Sequence, residues 1–123
     1  MTRKRKLILW ALLAAAAVAA SSLAYNWYYR ARIWPAELQR NLLGSEIALP
    51  DALIDRQGSS AYGEGMFRWR YRVDPRDPRL KQFCPGARTP QACRFTRSRR
   101  IAEGVKIYAS YSGGVMTLEE IWS

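Results

Sequence analysis

The sequence contains no histidine, and only two of its 123 residues are cysteine. The first absence removes the side chain used most often as a general base and metal ligand near neutral pH. The second leaves one copy of the chain unable to supply four soft or imidazole ligands, so a structural zinc site would have to be shared between subunits. Acid is missing from the first part of the chain, because all ten Asp and Glu residues lie beyond position 36. There is no internal repeat, no low-complexity tract beyond an alanine run, and no cysteine where a lipoprotein signal would need one.

The residues present at the N-terminus are basic, then apolar. Arg3, Lys4, Arg5 and Lys6 precede an uncharged segment from Leu7 to Ala24, eighteen residues of which eight are alanine. At ~1.5 Å per helical residue this reaches the lower limit for ~30 Å of hydrocarbon. Tyr25, Trp27, Tyr28 and Tyr29 extend it with amphipathic rings that settle at a membrane interface, and Arg30 and Arg32 come next. This composition predicts a transmembrane anchor over 7–29. It also fits a cleavable signal peptide, with Ser22 and Ala24 at the spacing signal peptidase uses, which would release a secreted protein near Ala24. The four tightly stacked charges favour a cytoplasmic tip over 1–6 at an inner (plasma) membrane, with the C-terminal domain on the periplasmic or extracellular side.

Cys84 and Cys93 point the same way. A cysteine pair in a small exported domain is expected to form a disulfide, which persists in an oxidising compartment. Residues 30–44 read as a juxtamembrane linker and short helix, with Pro35 in a first turn, Leu38 and Leu42 on one face, and Gly44 at the stop. Residues 45–123 form the exported domain. Its start is ambiguous, and Gly58 to Gly65 reads as a mobile loop.

Two stretches beyond it have a strict period of two. From Met66 to Val73, Phe67, Trp69, Tyr71 and Val73 alternate with Arg68, Arg70 and Arg72. Gly113-Gly114 separates Val105–Ser112 from Val115–Trp122, which predicts a hairpin pairing Ser112 with Val115 and Ile107 with Glu120. One of its faces is apolar except for Glu120. The fold expected is α+β: an N-terminal helix, then an antiparallel sheet of about three strands covered by the 36–43 helix.

Chemistry is sparse. Glu119 and Glu120 are neighbours on a strand, so they face opposite ways and cannot flank one substrate. Ser59 or Ser60 with Lys81 or Lys106 has no spacing that selects it as a dyad. The glycines of 58–65 resemble a phosphate loop only in number, since Glu64 stands where the lysine is required. No catalytic residue, cofactor or metal is expected.

The net charge of +10 is concentrated. From Arg68 to Lys106 twelve basic residues stand against Asp74, Asp77 and Glu103. Arg68, Arg70 and Arg72 form a stripe, and Arg94, Arg97, Arg99 and Arg100 form a cluster after Cys93. These are the candidate anion- or partner-binding residues. Nucleic acid is not the expected partner, because Trp69 and Tyr71 face away from the arginines on a strand and are needed in the core. The function expected is binding without catalysis: an envelope protein as partner, as for an accessory subunit or an immunity or exclusion factor. The alternative is anionic lipid or an envelope polymer on the arginine face.

Overall fold

The computed structural model describes residues 2–61 and 64–123, which divide into two units between Trp34 and Pro35. The first holds helix α1 (Arg3–Tyr28) and a single π turn, Tyr29–Ile33. No residue of α1 is buried. Its mean hydropathy reaches 2.2 over an 18-residue window, so the helix is long and apolar enough to cross a membrane.

Helical hydrogen bonding continues into α2 (Trp34–Leu43), where the sequence suggests a break at Pro35. A proline ring collides with the carbonyl four residues back, here that of Ala31. The π turn contains Ala31, and its closing bond runs from the Trp34 N–H to the Tyr29 carbonyl, one residue longer than an α-turn. A widened turn is the usual way to absorb such a defect. At its far end α2 stops at Gly44, whose φ of 77° is a left-handed cap conformation.

The rest of the second unit is one antiparallel sheet. Strands β1 (Leu53–Ala61), β2 (Glu64–Arg72), β3 (Arg94–Ala102), β4 (Val105–Ser112) and β5 (Val115–Trp122) stand in the order β1-β2-β5-β4-β3. The hairpin register is the one the sequence predicts, with Ser112 opposite Val115, Tyr111 opposite Met116 and Ile107 opposite Glu120. Gly113 and Gly114 take φ of 57° and 80°, the pair of positive values a tight two-residue turn requires.

The strand count is a correction, from about three to five. β1 occupies residues that read from sequence as a mobile loop: Gly58–Ala61 and Glu64–Gly65 lie in paired strands, while 62 and 63 fall outside the described residues. β3 runs through the arginine cluster and pairs with β4. Both added strands lie at the edges of the sheet.

One face of the sheet carries the core. Trp69 and Tyr71, Phe95, Ile107, Ala109 and Tyr111, and Met116 and Leu118 are all buried on it. Leu38 and Leu43 of α2, Ile47, Ala48 and Leu80 are buried with them and form the cover. Each large side chain of this set contributes about 1.5–3 kcal/mol by leaving water. The cover is therefore broader than the helix alone. The segment 45–49 is held to α2 by Gln39, whose Oε1 accepts from Ile47 N–H (2.9 Å) and Ala48 N–H (2.7 Å) and whose Nε2 donates to the Ala48 carbonyl (3.0 Å). Arg79 donates to the carbonyls of Glu46 (2.7 Å) and Ile47 (3.4 Å).

Candidate protein-binding surface

On the other face of the sheet, the ladder registers arrange the side chains in four cross-strand rows. The first is Arg72, Val115, Ser112 and Arg94. The second is Asp55, Arg70, Thr117, Ser110 and Thr96, and the third is Gln57, Arg68, Glu119, Tyr108 and Ser98. The fourth is Ser59, Met66, Ile121, Lys106 and Arg100.

These rows show why the arginine stripe is not one continuous anion site. Arg70 is neutralised by Asp55, its Nε lying 2.9 and 3.0 Å from the two carboxylate oxygens. That contact holds the Asp55 carboxyl below its usual range, through hydrogen bonding first and charge second, and raises Arg70 in turn. Arg68 Nε stands 3.4 Å from a Glu119 oxygen. The middle of the face is thus charge-compensated and lined by hydroxyls. Cations without an ion pair among the described residues sit at its corners: Arg72, Arg94, Arg100 and Lys106, the last with its ammonium 5.2 Å from the Tyr108 ring centre.

The second cluster splits between the two faces. Arg94 and Arg100 pair with Ser112 and Lys106 and lie on the open face, whereas Arg97 and Arg99 pair with Ala109 and Ile107 and lie on the covered side. All four are exposed because β3 is an edge strand on which only Phe95 is buried. Arg97 rests with its guanidinium carbon 5.5 Å from the Phe83 ring centre. Phe83 stacks on Phe95 at 4.7 Å and Phe95 on Tyr111 at 5.7 Å, so the guanidinium ends a column of three rings. Burial pushes the Tyr111 phenol above its ordinary value.

Cys84 and Cys93 are joined as a disulfide, with Cα atoms 5.4 Å apart, in the crossing between β2 and β3. Beside it lies a cleft of about 280 Å³ whose wall includes Leu80, Lys81 and Arg88. The adjacent carboxylates Glu119 and Glu120 separate as strand geometry demands. Glu119 meets Arg68 on the open face, and Glu120, only 2 % exposed, accepts from the Trp122 indole N–H on the covered one. Among the described residues no group of three His, Cys, Asp or Glu is placed to hold a metal ion.

In the first unit, Tyr25 and Trp27 are about two-thirds exposed and Tyr28 about half. Tyr25 and Tyr29 lie 6.4 Å apart, and Tyr29 stacks on Trp34 at 6.2 Å, a five-residue spacing that the π turn brings into line. Gln39 is the residue that sequence reasoning missed. A polar side chain between Leu38 and Leu42 carries no local sign that it turns inward. No protein-family model matches the sequence, no curated protein matches it, and no solved structure matches it.

Proposed function

We propose that this chain is a single-pass membrane protein whose C-terminal domain binds another envelope protein on the periplasmic or extracellular side and catalyses no reaction. The observation that carries the proposal is the uncovered state of the sheet. Among the described residues nothing covers one face of the sheet or the outer edges of β1 and β3, in a domain joined to a lipid-compatible helix. An open edge is a liability for a free protein and a docking line for a bound one. The disulfide supports the oxidising side, and the four stacked charges at 3–6 support a cytoplasmic tip.

The second reading, anionic lipid or an envelope polymer on the open face, is favoured by the unpaired corner cations. Its weak point is the charge-compensated centre, where Asp55 and Glu119 meet Arg70 and Arg68.

Crosslinking in native membranes tests both. Capture of one defined protein that survives charge reversal at Arg72 and Lys106, open-face cations outside β3, is the expected result. Vesicle or polymer binding that disappears with those reversals, with no protein captured, would replace the first reading by the second. A reporter active only outside the cytoplasm, fused after Ser123, is expected to give signal, and silence with good expression reverses the orientation.

A further inference from the structure

We infer that β3 is the docking edge and that its occupant is an extended acidic segment of the partner, added to the sheet as a sixth strand. This deepens the protein-binding proposal and rests on it. β3 stands at the end of the strand order, so on its outer side alternate backbone N–H and C=O groups have no strand to pair with among the described residues. Its sequence places Arg94, Arg97, Arg99 and Arg100 in nine residues without one acid.

The distribution of those arginines selects the occupant. Arg94 and Arg100 stand on the open face and Arg97 and Arg99 on the covered side, so they flank the edge above and below the plane of the sheet. A flat anionic surface laid on the open face meets the first two and misses the second two. A strand lying in the plane of the sheet reaches both sets, because its own side chains alternate above and below the same plane. A polymer without amides could meet the charges but would leave the edge's hydrogen-bonding groups unanswered.

The same parity fixes the pattern sought in the partner. Acids opposite Arg97 and Arg99 sit two residues apart, and one opposite Arg100 sits next to them on the other face. The motif is thus two adjacent acids with a third two residues along, rather than strictly alternating charge. Two copies of β3 brought edge to edge would oppose eight like charges, so this edge rejects its own kind. β1, the other edge, has a different character: Asp55 and Arg56 balance, and Gln57, Gly58 and Ser59 are neutral.

The full-length protein, disulfide intact in nanodiscs of zwitterionic lipid, can be titrated with a labelled synthetic peptide that carries four consecutive glutamates within a threonine and valine run. Two further peptides have the same charge but N-methylated amides, at odd positions in one and even positions in the other. Strand addition uses one set of amides, so one methylated peptide is expected to bind at least tenfold more weakly and the other about as well as the parent. The Arg97→Glu/Arg99→Glu variant is expected to lose at least tenfold, and hydrogen exchange is expected to slow at alternate amides of Arg94–Ala102. Equal binding of all three peptides, no binding of the parent, or slowing confined to Arg68–Arg72 overturns the assignment. Photo-crosslinkers at Ser98 and at Thr117 separate this from the broader proposal. A protein captured from Thr117 alone overturns the edge and leaves protein binding in place, and capture from neither overturns both.

Discussion

Arg70 and Asp55 face each other across the β1–β2 ladder, with the arginine Nε 2.9 and 3.0 Å from the two carboxylate oxygens. The backbone ladder from Leu53 opposite Tyr71 to Ala61 opposite Glu64 joins the two strands, and this contact adds a side-chain tie to it.

Its dependence on pH comes from the direction of the shift. The Asp55 carboxyl is lowered in the folded state, so its stabilisation is present above the unfolded value of about 3.9 and is lost as pH falls through the folded value. Asp77, lowered by Arg79, acts in the same sense. Asp55→Asn is expected to unfold at lower denaturant than the parent at about pH 6, with the difference shrinking as pH falls below about 3.9. A gap unchanged across that range would rule the ion pair out as a source of stability.

Gln39 holds three backbone groups of Ile47 and Ala48 at 1 % exposure. Gln39→Leu keeps the volume but orphans those groups, at a cost on the order of 3 kcal/mol. Urea unfolding with an unchanged slope and a lower midpoint is the expected record. A shift below about 0.5 kcal/mol would show that water reaches the segment.

Cys84 and Cys93 close a short loop, and cross-linking it constrains the unfolded chain by about 2.5–3 kcal/mol in the loop-entropy description. Reduction, or the Cys84→Ala/Cys93→Ala pair, is expected to lower stability by roughly that amount. Unreduced, denatured protein purified from cells is expected not to react with a thiol reagent. Two equivalents of label would contradict both the bond and the oxidising compartment.

The turn offers a position-specific contrast. Gly114 has φ of 80°, and a Cβ there would meet nothing closer than 3.6 Å, so its constraint is conformational and not steric crowding. Gly114→Val is expected to cost about 1–2 kcal/mol. Gly113→Asn, at φ 57° with open space around it, is expected to be close to neutral by thermal unfolding. Equal losses at the two sites would point to the surroundings of the turn instead.

The elements legible in the sequence are those that bury one face completely. In β2 the aromatic and arginine side chains alternate without exception, and in β4–β5 the glycine pair fixes the register, so burial leaves a period of two in both. The edge strands bury almost nothing and carry no such trace. In β3 the arginines fall on both faces around a single buried Phe95, and Leu53 to Ser59 of β1 is largely exposed and polar. For the same reason the candidate site is visible in the sequence as a set of arginines but not as two groups on opposite sides of an edge. That division depends on a register fixed by pairing with β4, which lies beyond β3 in the chain.

The strand order has a consequence for how the domain is made. β5, the last strand in sequence, lies in the middle of the sheet, and pairing Arg72 with Val115 joins residues 43 apart. As the chain emerges N-terminus first, β1 and β2 can form a hairpin early, but Trp69 and Tyr71 stay wet and one side of β2 stays open until β5 arrives. Non-local pairing of this kind is slow and leaves sticky surface exposed while it waits. The arginines interleaved along β2 put charge on one face of that waiting hairpin, the feature that works against its sticking to others.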